Sequence, residues 1–125
     1  MTDDTARRNN ARRNEGYLDL RELIERFDEM GELARIDGAD WNLEIGALSE
    51  TSAAARPGRA KTLLFDNIPG YPEGFRIMSG AANAYRRLAV VLGLDDPENE
   101  MDLVRAYRDR AKEEASPIPP VEVAD

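Results

Sequence analysis

Three acidic residues crowd one short stretch, Asp37, Asp40 and Glu44. Carboxylates this close can divide general acid and base roles or share a magnesium ion. The same positions also suit a local task. Asp37 ends an alternating run, and Glu44 stands in the first turn of a helix, where negative charge favours the dipole. The local reading is the stronger. A second candidate is Ser79-Gly80-Ala81-Ala82-Asn83 followed by Tyr85-Arg86-Arg87, a glycine-bearing turn that opens a helix beside two guanidinium groups, which is one way to hold an anion. Without a second anchoring motif, Arg86 and Arg87 read more simply as solvated positions of an amphipathic helix. Gly70-Tyr71-Pro72-Glu73-Gly74 lacks the lysine and the spacing of a phosphate loop and is a turn.

The residues that are missing narrow the chemistry further. The sequence has no histidine and no cysteine, so serine–histidine catalysis, thiol nucleophiles, disulfides and thiolate metal sites are excluded within it. The 125 residues carry 17 Lys and Arg against 25 Asp and Glu, a net charge of −8. Such a surface repels polyanions, so nucleic acid and anionic membranes are not expected partners. No apolar run could cross a bilayer, and MTDDTARRNN lacks the apolar core of a secretory signal, so the expectation is a soluble cytoplasmic protein.

The elements that must position these groups follow from periodicity. Residues 1–16 hold almost no large apolar side chain and read as a disordered arm, with four arginines against Asp3, Asp4 and Glu15. From Asp19, a capping residue, Leu20, Leu23, Ile24, Phe27 and Met30 fall at helical spacing up to Gly31. Residues 32–37 alternate as a half-buried strand. Asn42 is placed to cap a second helix with Ile45, Leu48, Ser52 and Ala55 on one face, ended by Pro57-Gly58. Thr62 to Phe65 read as a buried strand and Phe75 to Ser79 as its hairpin partner across a Pro- and Gly-rich loop. Asn83 is placed to cap a third helix facing inward through Ala84, Leu88, Val91 and Leu92, with Gly93 as its stop. Asp96-Pro97 would begin a fourth, with Met101, Val104, Tyr107 and Ala111 inward. The fold class is α/β, a small mixed sheet with about four helices packed on it, over residues 17–115. A Pro-rich tail, 116–125, closes the chain with Val121-Glu122-Val123 as a possible last strand.

Read together, DLRELIERFDEMGELARID (19–37), NLEIGALSE (42–50), LLFDNIPGYPEGFRI (63–77), YRRLAVVLGL (85–94) and PIPPVEV (117–123) resemble the N-terminal domain of the UbiD-type decarboxylases. The resemblance implies an α/β domain belonging to enzymes that add or remove carboxylate on aromatic and unsaturated acids. It also implies that prenylated FMN, a divalent metal, potassium and the catalytic Glu-Arg-Glu set lie in a following domain, past the stretch similar to Pro117 to Pro120. No residue here matches those motifs. The expectation is therefore a small non-catalytic subunit of a carboxy-lyase complex, binding no cofactor or metal of its own. It would dock on a larger UbiD-like catalytic subunit in a higher-order hetero-oligomer. A free-standing binding or regulatory protein is the alternative, and a segment of a longer enzyme a third. Trp41, Tyr71, Ile118, Val121 and Val123 are the candidate interface residues. Phe75 is a further candidate, although its burial in the domain's own core is the first expectation.

Overall fold

The Asp19 carboxylate accepts hydrogen bonds from the backbone N–H groups of Arg21 and Glu22, at 2.8 and 3.1 Å. Helix α1 (Leu20–Glu29) starts at the next residue, as an aspartate N-cap dictates. In this computed structural model, residues 17, 19–55, 59–114 and 118–121 are described. The expected arm over 1–16, the Pro57-Gly58 stop and Val123 lie outside the described residues. Helix α1 closes at Gly31, whose φ of 71° is left-handed. The Gly31 N–H meets the Asp28 carbonyl and the Glu32 N–H meets the Phe27 carbonyl, at 2.9 and 2.8 Å, a closure that favours glycine.

Strand β1 (Leu33–Asp37) follows, then α2 (Glu44–Ala53), β2 (Thr62–Asp66), β3 (Ile77–Ser79), α3 (Tyr85–Leu92) and α4 (Glu100–Glu114). The sheet order is β1-β2-β3. Strands β1 and β2 run parallel with Leu33 opposite Thr62 and Asp37 opposite Asp66, while β3 is antiparallel with Ile77 opposite Phe65. The mixed sheet and the α/β class match the sequence reading. Strand β2 is central and covered on both faces, which is why it reads as a continuous apolar run rather than an alternation. Its Leu63 and Phe65 pack with Ala39, Ile45 and Ile68 on the α2 side. Leu64 joins Leu23, Phe27 and Leu33 on the other side, against Val90 and Val91 of α3. Each fully buried Leu or Phe of these two clusters contributes about 1.5–3 kcal/mol.

Several expectations are corrected. Asn42 does not cap α2. The Asp40 side chain takes the Asn42 N–H and Glu44 takes the Asp40 N–H, both at 2.8 Å, so the helix entry is built by the acidic pair, and Leu48 stays exposed. Asn83 does not cap α3 either, because its side-chain oxygen is used by Arg87. That helix turns Arg87 and Ala89 fully into the core; of the expected face, Val91 packs against the α1-side cluster while Ala84, Leu88 and Leu92 are half-buried. Strand β3 starts at Ile77, leaving Phe75 59% exposed. Helix α4 starts at Glu100, not Asp96, with the Asn99 side chain accepting the Asp102 N–H at 3.1 Å. Its stripe of Met101, Val104 and Tyr107 is exposed, Ala111 beside it is exposed too, and Leu103 is the buried side chain. The helix lies against α3, its Arg110 Nη1 donating to the carbonyls of Leu92 and Gly93 at 2.6 and 3.2 Å. Residues 118–121 form no strand.

Candidate partner-docking surface

The two ends of the sheet differ in chemistry. At the end where β1 and β2 begin, Arg87 is fully buried. Its Nη1 donates to Oε2 of Glu32 and to the carbonyl of Ala60, each at 2.6 Å, and its Nη2 donates to Oδ1 of Asn83. Nε is buried with no hydrogen-bond partner among the described residues. Arg86 forms a two-point pair with Asp96 at 3.2 Å and also approaches Glu32 at 3.7 Å. The hydrogen bonds and charge of Asp96 hold the Arg86 guanidinium above its ordinary pKa. Neither reading of the Tyr85-Arg86-Arg87 triplet survives for Arg87: it is neither solvated nor open to an anion, because it is fully buried with both Nη groups bonded to Glu32, Ala60 and Asn83. No sequence signal marks this, since Glu32 and Ala60 are distant in the chain.

At the opposite end, the two parallel strands deliver two loops to the same side. The Gly38 N–H donates to the Asp66 carbonyl at 3.0 Å, and Asn67 Nδ2 donates to Asp37 Oδ1 at 2.5 Å. These bonds tie the loop after β1 to the loop after β2. Asn67 holds a left-handed φ of 47°, which asparagine tolerates. Asp37 is thus a loop fastener, and Asp40 with Glu44 a helix entry. Among the described residues no three carboxylates converge on a possible metal position. The open end of a parallel pair is where α/β proteins commonly meet their ligands.

Exposed apolar side chains share this end with the acids. Trp41 is 56% exposed and Leu43 more so, on the first loop. Tyr71 and Phe75 are exposed on the second, and Ile77 at the start of β3. The second loop is held by bonds from the Tyr71 N–H to the Ile68 carbonyl and from the Phe75 N–H to the Pro72 carbonyl, with Ile68 buried as its anchor. The loop is therefore braced while its aromatic rings face outward. Ile118 is 92% exposed and Val121 similarly so. The register of the sheet brings the Trp41 and Tyr71 loops to one end. Leu43, Phe75 and Ile77 were not singled out as exposed by periodicity, which tells where apolar residues repeat but not what covers them.

An open groove of about 490 Å³ lies between α1 and α3. Met30, Ala89, Val90 and Leu94 line it, with Glu22, Glu25, Glu29, Arg26, Arg86 and Asp96 around them. Its two arginines are already engaged with Glu22 and Asp96. The groove therefore sets an apolar floor beside four carboxylates and two arginines that are already paired.

Among curated proteins none matches the chain. Among solved structures, the vanillic acid decarboxylase of Sedimentibacter hydroxybenzoicus in its open form is similar at a TM-score of 0.68 and 24% identity, over 85% of this chain and 22% of that chain. Its closed form gives 0.65 and 23%, over 78% and 20%. At these identities the likeness is one of fold, and this chain spans about a fifth of the length of the chains it matches. The sequence model of the 3-octaprenyl-4-hydroxybenzoate carboxy-lyase N-terminal domain matches residues 24–107, a stretch that takes in all three strands, α2, α3 and most of α1. With about two thirds of its length inside that match, the chain belongs to the UbiD N-terminal domain family.

Proposed function

We propose that this chain is a non-catalytic partner of a UbiD-like carboxy-lyase, docking on a larger chain that holds prenylated FMN with its divalent metal and potassium. The observation that carries the reading is the exposed apolar end of the sheet, with Trp41, Leu43, Tyr71 and Phe75 on two braced loops. Isolated apolar residues are normal on a surface, but four large ones on two braced loops at one end of a sheet favour a contact. Aromatic anchors of this kind carry most of the energy of protein interfaces. In the matched decarboxylase the corresponding fold occupies about a fifth of its chain, so the remaining four fifths offers a natural model for the partner. The acids acted on are aromatic or unsaturated, and this chain's contribution is to complete the assembly and form one wall of the cleft. Within the assembly, the tail around Ile118 and Val121 adds extended backbone to a sheet of the larger chain, with Val123 continuing it.

Co-expression with a UbiD-like large chain tests this. Co-elution in gel filtration and decarboxylation or carboxylation that depends on both chains are expected. Separate elution with unchanged activity of the large chain sinks the idea. Retention of the cofactor's visible absorbance by the small chain alone would contradict its assignment to the partner.

A further inference from the structure

The groove between α1 and α3 carries a charge pattern that the described domain does not neutralise. Glu25 and Glu29 stand i,i+4 on α1, both exposed and both on the groove. Like charges at this spacing repel by a few tenths of a kcal/mol. Neither has an ion-pair partner among the described residues. Met30 and, from α3, Ala89 and Val90 line the groove beside them, so it combines an apolar lining with four carboxylates against two arginines that are already paired with Glu22 and Asp96. It fits a segment that brings evenly spaced cations and little bulk.

We propose that the N-terminal segment of this same chain, Arg7-Arg8-Asn9-Asn10-Ala11-Arg12-Arg13, seats in that groove in cis, Arg12 toward Glu25 and Arg8 toward Glu29. The stretch holds four arginines and no acid, in a protein of net charge −8. Arg8 and Arg12 repeat the i,i+4 interval of the two glutamates. The tether is suitable too. Tyr17 packs against the cluster that also receives Met30 and Val90 of the groove lining, which anchors the segment's C-terminal end close to the groove. Glu25 and Glu29 lie roughly 8 and 14 Å along α1 from Leu20 at helical rise. The residues between Arg12 and Asp19 span up to about 23 Å when extended, enough for the chain to double back. Each exposed pair is weak, but tethering supplies an effective concentration in the millimolar range, so several weak pairs suffice.

Methyl NMR of the full chain tests the proposal, because Met30, Ala89 and Val90 report the groove directly. Deletion of residues 2–16 is expected to shift these resonances while those of Leu63 and Ile45, on the far side of the sheet, stay in place. Glu25→Arg with Glu29→Arg should produce the same shifts, and adding Arg8→Glu with Arg12→Glu should return at least half of the change. A spin label on Asn10→Cys, a unique thiol in this cysteine-free chain, should broaden Met30 and Val90 and lose that effect in about 0.5 M salt. The proposal is overturned if the deletion leaves the groove resonances unmoved, or if the charge swap restores nothing. It is also overturned if broadening arises only between labelled and unlabelled copies, which would place a second molecule in the groove.

Discussion

Arg87 and Glu32 are 55 residues apart in sequence and joined at 2.6 Å, the first fully buried and the second largely so. An arginine enclosed this way is held by its partners rather than by its own preference for the interior. Removal of one member costs the other its shortest charged contact, although Arg86 still stands 3.7 Å from Glu32 and Arg87 keeps Ala60 and Asn83. Arg87→Ala should therefore destabilise the domain by about 3–5 kcal/mol, and Glu32→Ala by a similar amount. The double variant Arg87→Met with Glu32→Leu should recover much of that loss. Urea unfolding at neutral pH measures all three, and simple additivity of the two single effects would refute the coupling.

Trp41 and Phe75 stand on different loops but at the same end of the sheet. Each truncated to Ala should weaken binding to the large chain by about 2 kcal/mol, near thirtyfold. Stability of the isolated chain should stay within about 0.5 kcal/mol. Calorimetric titration beside thermal unfolding separates the two effects. A stability loss of several kcal/mol would mean that the rings support the domain itself.

Gly31 closes α1 at a φ of 71°, and a Cβ built there meets nothing within 4 Å. The strain of Gly31→Ala is thus conformational, with an expected loss of about 1 kcal/mol. Gly31→Asn should lose less. Equal stability of all three proteins in denaturant would show that the turn relaxes.

Deletion of residues 117–125 should weaken the two-chain assembly while leaving the far-ultraviolet helical signal per helix unchanged. Ile118 and Val121 are exposed in the isolated chain, so the domain loses no buried area with them. Co-elution at full strength after the deletion would remove the tail from the interface.

Sequence and structure agree where local preference and burial point the same way. Asp19, Gly31 and Gly93 through cap chemistry, and Leu23 and Phe27 through helical spacing, marked α1 and the end of α3. The central strand was legible because burial on both faces leaves a continuous apolar run. Helix α4 was misread for a physical reason: the spacing of Met101, Val104 and Tyr107 is real, but among the described residues nothing covers that face, and the helix is buried at Leu103 instead. Asn42 and Asn83 are good caps by type, yet nearby Asp40, Glu44 and Arg87 offered stronger hydrogen bonds. At the docking surface, Trp41 and Tyr71 are conspicuous by residue type and are exposed. That their loops share one end became visible only with the parallel register of β1 and β2.

The Arg87 junction also bears on time rather than energy alone. Its three acceptors come from Glu32, Ala60 and Asn83, so it closes only after β1 and β2 have paired across a long crossover and α3 has arrived. Contacts of such separation are made late on the folding path. A bond absent from the transition state acts on the exit from the native state. The guanidinium is in this sense a latch: without it the domain should fold at nearly its usual rate and come apart on the order of a hundred to a few thousand times faster.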